Sequence, residues 1–146
     1  MFLVKVYLDY SKLDGKGIFA GEFIPKGKKI WEHDDDTVNM YSEQEWQNLL
    51  KKSTIKKRNE LLKFSYRENN IWILHKDIMK FMNHSEHPNV LTNTPELTKI
   101  NWDLKKSYTY AARDIKEGEE LTENYKEYFD DEIWLLHQQE KCCNVF

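Results

Sequence analysis

The sequence predicts a mainly β, α+β domain, with several small sheets of short strands and one short helical insert. Three observations carry this. Phe2, Val4, Val6 and Leu8 fall on one face of a strand with period two. Residues 20–30, AGEFIPKGKKI, align without gaps on residues 111–121, AARDIKEGEEL, and both read as strand, tight turn at a glycine, strand. Ser42-x-x-Glu45 is a capping box that opens a helix.

After the first strand, residues 11–16 form a turn and Ile18-Phe19-Ala20 returns as a second strand. In Phe23-Ile24-Pro25-Lys26-Gly27 the proline presets the first turn position and the glycine suits the last. Ile30-Trp31 begins another strand. Asp34-Asp35-Asp36 follows as a solvated acidic loop, since calcium loops alternate their ligands and need a glycine at a set offset. The helical insert is expected over about 34–70. Its first helix runs to about residue 52 with Trp46, Leu49 and Leu50 inward, and its second covers 54–63. Lys51-Lys52 and Lys56-Lys57-Arg58 read as the solvated face of these helices. Ile71-Trp72-Ile73-Leu74 lacks polar alternation and reads as a strand covered on both faces. Thr98–Leu104 and Ser107–Ala112 are expected to pair around a Lys105-Lys106 turn. The end is aromatic and acidic, with Ile133–Leu136 expected to be helical.

At 146 residues the chain fits a single domain, 1–146, with a closing C-terminal segment at about 126–146. A net charge of −3 and a pI near 6.0 give no electrostatic footprint for direct nucleic-acid binding. The N-terminus alternates rather than running apolar, so it does not read as a signal peptide. No apolar run approaches the roughly eighteen residues of a membrane span. The two cysteines, Cys142 and Cys143, are adjacent, which cannot make a disulfide framework and points to a reducing, intracellular setting.

Function is concentrated in two polar segments, Asn83-His84-Ser85-Glu86-His87-Pro88-Asn89 and Glu119-Glu120-Leu121-Thr122-Glu123-Asn124-Tyr125. Such residues are costly to bury without partners, yet each segment follows a stretch that reads as buried: Ile78–Met82 and Tyr108–Ala112. Polar residues held at the ends of packed elements are how a scaffold presents a site. Gly15-Lys16-Gly17-Ile18-Phe19-Ala20 adds a place where backbone could approach a ligand closely. Alone, Gly15-x-Gly17 is as consistent with a hairpin turn, and Asn83-His84-Ser85 with a self-capping turn.

Together the three segments, in this order and over roughly residues 2–129, resemble the SET-domain protein lysine methyltransferases, which carry GxG, N-H-S-x-x-P-N and G-E-E-L-T-x-x-Y. The resemblance implies small sheets around a knot-like crossing of the C-terminal segment through a loop, a topology rare enough that composition would not suggest it. It implies S-adenosylmethionine in one cleft and a target lysine entering by a narrow channel from the opposite face. Direct transfer to a neutral amine needs alignment and exclusion of water more than a strong base. The channel would deprotonate the lysine by desolvation beside a second positive charge.

The resemblance assigns cofactor contacts to Lys16, Gly17, Ile18, Phe19, Asn83 and His84, Asn83 by side chain and both of the last two by backbone. Tyr125 is the expected catalytic phenol, also touching the cofactor. Tyr66 is the candidate second tyrosine, with a half-buried strand tyrosine as the alternative reading. Phe81 is expected to pack under the cofactor loop. Tyr128 and Phe129 could close either the cofactor cleft or the lysine channel, and Phe129 is carried with the cofactor set. The chain looks like the compact bacterial and viral members without a zinc-binding segment after the catalytic tyrosine. Cys142-Cys143 has no second pair, so no metal is expected. Asn124 stands where the family more often has an acidic residue.

The leading expectation is therefore an S-adenosylmethionine-dependent lysine N-methyltransferase acting on a protein or peptide, a histone or host protein, without membrane or direct nucleic-acid partners. The alternatives are a non-catalytic SET-fold binding module and a methyltransferase for a small amine.

Overall fold

A computed structural model of the chain describes residues 1–93 and 104–127. They contain ten strands, β1 Val6–Tyr10, β2 Lys16–Ala20, β3 Lys29–Glu32, β4 Val38–Ser42, β5 Ser65–Glu68, β6 Ile71–His75, β7 Asn83–His84, β8 Val90–Asn93, β9 Tyr108–Ala111 and β10 Glu120–Glu123. Helices α1 Glu43–Lys52 and α2 Ile55–Phe64 lie between β4 and β5, and short 3-10 turns cover Ile78–Phe81, Leu104–Lys106 and Tyr125–Glu127. The strands form three sheets, in the orders β1-β2-β10-β7, β3-β9-β8 and β4-β6-β5. The expected mainly β, α+β architecture of small sheets with a helical insert is what the molecule has. The residues beyond Glu127, including the expected 133–136 helix and the end of the C-terminal crossing, lie outside the described residues.

The described chain divides into two compact units. The first, Met1–Val38 with His75–Asn124, holds the first two sheets. Phe2, Val4, Val6 and Leu8 are half-buried while Met1, Leu3, Lys5 and Tyr7 are exposed, as period two requires. The ladder with β2 nevertheless begins only at Val6, because Phe2 bridges Trp31 and Leu3 N–H donates to Ile30 O at 2.7 Å.

Residues 20–30 and 111–121 do share a geometry, and they also bond to each other reciprocally. Ile24 and Ile115 exchange both backbone bonds, at 2.9 and 2.8 Å. Gly27 N–H donates to Ala111 O, and Gly118 N–H to Ala20 O, each at 2.8 Å. Ala111 N–H donates to Lys28 O at 3.0 Å, and Ala20 N–H to Glu119 O at 2.9 Å. Gly27 and Gly118 have φ of +83° and +87°, a conformation that favours glycine. Each half therefore lends its third strand to the other's sheet: β10 joins β1-β2, and β3 joins β8-β9. Ile18, Ile24, Ile30, Ile115 and Leu121 are fully buried in this unit.

One expected pairing is corrected. The partners of β9 are β3 on one edge and β8, residues 90–93, on the other. With both edges taken, β9 does not form a local hairpin with 98–104, and Lys105-Lys106 lies in a 3-10 turn. Residues 98–103 lie outside the described residues.

The second unit holds Asn39–Leu74 and, among the described C-terminal residues, Tyr125–Glu127. The capping box is complete: Ser42 Oγ accepts from Glu45 N–H at 3.2 Å and Glu45 Oε2 from Ser42 N–H at 2.7 Å. Thr54 caps α2 by accepting from Lys57 N–H at 3.2 Å. Trp46 is fully buried and stacks on Trp72, centroids 4.9 Å apart at 13°, with Leu61 beside them. Tyr41, Leu49, Leu50 and Leu74 pack around that cluster.

Candidate functional site

β10 brings the two polar segments together. It lies between β2, with Glu120 opposite Phe19 and Leu121 opposite Ile18, and β7, with Thr122 beside Asn83 and Glu123 beside His84 in parallel register. β7 is only two residues long, and bonds beyond it extend its join to β10. Asn89 clasps β10 with its amide, Nδ2 donating to Glu120 O at 2.8 Å and Oδ1 accepting from Thr122 N–H at 2.9 Å. Ser85 N–H donates to Glu123 O at 2.9 Å. The segment from Asn83 to Asn89 is thus fixed to β10 at both ends. Ser85 also caps its own loop, its Oγ accepting from His87 N–H at 3.1 Å.

Asn83 is not a self-capping turn residue. Its Nδ2, largely buried, faces Asp14 O at 3.0 Å, Lys16 O at 3.1 Å and Glu120 Oε1 at 2.9 Å. Three acceptors converge on a group with two hydrogens. This ties the β1–β2 hairpin, Gly15 and Gly17 included, to β7. Glu120 Oε2 accepts from Ser11 Oγ at 2.9 Å, which fixes the other side of that hairpin.

The two glycines have separate physical reasons. Gly15 has φ +48°, the left-handed region, with open space where a Cβ would stand. At Gly17 a Cβ would come 2.2 Å from Glu120 Oε1 and 3.2 Å from Asn83 Nδ2. The close approach that requires glycine here is to the chain's own carboxylate and amide.

The other expected residues are placed as follows. Lys16 is exposed at the start of β2, and the Ile18 side chain is fully buried, which leaves its backbone for any ligand contact. Phe19 is half-buried and stacks on Tyr7 with centroids 5.7 Å apart. His84 is half-buried on β7. Phe81 ends the 3-10 turn before it, and Met79 and Met82 supply that turn's buried contacts. In the second unit, Tyr66 sits half-buried on β5 opposite Ile73, and Tyr125 opens the 3-10 turn that follows β10 in the chain. Tyr128 and Phe129 lie outside the described residues.

Sequence reasoning missed Ser11, Asn89 and Glu120 as members of this network. Asn89 closes the N-H-S-x-x-P-N segment and Glu120 lies in the second segment, so both were in view without a role. Ser11 carried no signal. A further titratable group, His75, is buried edge-on against Trp31 at 5.2 Å, and burial lowers its pKa to about 4. It is neutral at ordinary pH. Among the described residues no three His, Cys, Asp or Glu side chains stand together as metal ligands.

The SET domain family profile matches residues 15–126. The chain is 29% identical over 129 residues to the histone-lysine N-methyltransferase trr of Drosophila melanogaster, covering 87% of this chain and 5% of that protein. It also resembles the Chaetomium thermophilum Polycomb Repressive Complex 2, in a humanized mutant bound to the inhibitor GSK126, with TM-score 0.60 and 24% identity over 88% of this chain and 16% of that one. The autoinhibited ctPRC2 bound to S-adenosylmethionine gives TM-score 0.63 and 22% identity over 94% of this chain and 17% of that one. This chain spans a small fraction of those relatives. With the profile covering most of its length and the matched segments assembled on β2, β7 and β10, the chain belongs to the SET domain family.

Proposed function

We propose that this chain is an S-adenosylmethionine-dependent lysine N-methyltransferase acting on a protein or peptide substrate. The observation that supports it most is the joining of Gly15–Gly17, Asn83-His84 and β10 into one hydrogen-bonded unit within a SET domain. The residues suit the cofactor's polar end: a glycine hairpin whose Asp14 and Lys16 carbonyls face the largely buried Asn83 amide, with the Glu120 carboxylate on the same amide. When bound, S-adenosylmethionine supplies an electrophilic methyl group on a sulfonium.

Backbone at Lys16–Phe19 and the Asn83-His84 pair would hold the cofactor. Tyr125 would orient the lysine amine through its hydroxyl, and Tyr66 would wall the amine's approach. The proton leaves the lysine before transfer, driven by desolvation beside a cation rather than by a protein base. His75, buried and hard to protonate, has no part in this. The setting proposed is the reducing cell interior, and activity should survive chelators.

The test is to incubate the full chain with labelled S-adenosylmethionine and histones or cell lysate, then locate labelled lysines by mass spectrometry. Labelled protein lysines are expected. Tyr125→Phe, which keeps the ring, should lower kcat by about a hundredfold with little change in cofactor affinity, because near-attack geometry is sensitive to small displacements. Label found solely on small amines, or a parental rate in Tyr125→Phe, would overturn the proposal or the role of Tyr125 respectively.

A further inference from the structure

Glu120 has a property that its place in the strand network does not require. Both oxygens accept from neutral donors, the Ser11 hydroxyl at 2.9 Å and the Asn83 amide at 2.9 Å. Among the described residues it has no ion pair. The neighbouring cation in β2, Lys16, is exposed and makes no ion pair among the described residues either. A half-buried carboxylate thus stands against Gly17 and Asn83 with no cation paired to it among the described residues.

The other half of the repeat makes the contrast plain. The position equivalent to Glu120 is Lys29, opposite Tyr110 as Glu120 is opposite Phe19. The position equivalent to Gly17 is Tyr108, and Lys29 Nζ lies 4.2 Å from its ring centroid. One half holds a cation over an aromatic ring, and the other holds an anion over a glycine. The backbone frame tolerates either sign, so the carboxylate is not a demand of the fold.

We propose that Glu120 is a specificity-determining residue that favours the cationic cofactor over its neutral product. This rests on the reading of Gly17 and Asn83 as cofactor contacts. S-adenosylmethionine carries one more positive charge, on sulfur, than S-adenosylhomocysteine, and the two are otherwise alike except for the methyl group. A carboxylate beside Gly17 and Asn83 attracts the first more than the second, and so assists product exchange.

The test is calorimetric titration of both ligands into the full chain and into Glu120→Gln, which keeps the shape and an acceptor for Asn83. Glu120→Gln should weaken S-adenosylmethionine relative to S-adenosylhomocysteine by roughly three- to tenfold. Ser11→Ala, which loosens the hairpin and keeps the charge, should weaken both ligands equally. In the parent, added salt should narrow the preference for S-adenosylmethionine, a readout that stands even if Glu120→Gln fails to fold. An unchanged ratio in Glu120→Gln, or a salt-independent ratio in the parent, overturns the role of Glu120. Failure of the folded parent to bind either ligand overturns the cofactor reading itself.

Discussion

The two halves of the first unit, β1-β2-turn-β3 and β8-β9-turn-β10, share backbone bonds and differ in what they display. Ile24 and Ile115, Gly27 and Gly118, Ala20 and Ala111 are equivalent pairs making reciprocal contacts. Beyond that frame the halves part. β3 contributes Ile30 and Trp31, both buried, and the Trp31 indole donates to Asp77 at 3.1 Å and packs on His75. At the matching level β10 contributes Leu121, Thr122 and Glu123, and a second neighbour, β7, carries Asn83 and His84. What is common to both halves is scaffold. What differs, a glycine for Tyr108, an acid for Lys29 and an added polar strand, marks the candidate site.

The largest effects test the common frame. Ile24→Ala and Ile115→Ala each remove a fully buried side chain at the point where the halves meet. Each should cost about 2–5 kcal/mol in denaturant unfolding, and the two costs should be alike. A large inequality would break the equivalence.

Acid should act through the β3 side. Burial lowers the His75 pKa from 6.5 to about 4, so between those values the unfolded chain binds a proton that the folded chain does not. Stability is unaffected by this group above pH 6.5 and falls as pH drops toward 4, by at most about 1.4 kcal/mol per pH unit. His75→Leu should flatten that window in a series of melts, and an unchanged slope would remove His75 as the cause.

Gly17→Ala forces a Cβ against Glu120 and should cost about 1–3 kcal/mol, with part of the loss recovered in Gly17→Ala/Glu120→Ala. If the second change recovers nothing, the clash lies elsewhere. Smallest, Lys29→Met should cost about 0.5–1 kcal/mol by removing the contact over Tyr108, and it should leave the β10 half untouched.

Much of this frame was legible in the sequence. Alternation at Phe2–Leu8, the Ser42–Glu45 box and the echo between 20–30 and 111–121 are local signals, and each corresponds to a local structure. The reciprocity of the echo was not legible, because hydrogen bonds between Ala20 and Gly118 join residues far apart in the chain. The expected 98–112 hairpin gave way for the same reason: turn residues favoured a local partner, and β3 and β8 took the edges of β9 instead. At the site, motif spacing pointed to Gly17 and Asn83 but gave no hint that Glu120 bonds Asn83 and crowds Gly17. The constraint on Gly17 comes from a side chain in another strand.

The most direct test of the contrast between the halves is calorimetric titration of S-adenosylmethionine into the parent, Asn83→Ala and Lys29→Met. The parent should bind. Asn83→Ala should lose about 1–3 kcal/mol of affinity, because the Gly15–Gly17 hairpin that the amide fixes against β7 is no longer held for the ligand, and Lys29→Met should bind as the parent does. A folded parent that binds no S-adenosylmethionine, or an Asn83→Ala variant that binds as tightly as the parent, would contradict the placement of the cofactor site on the β10 half.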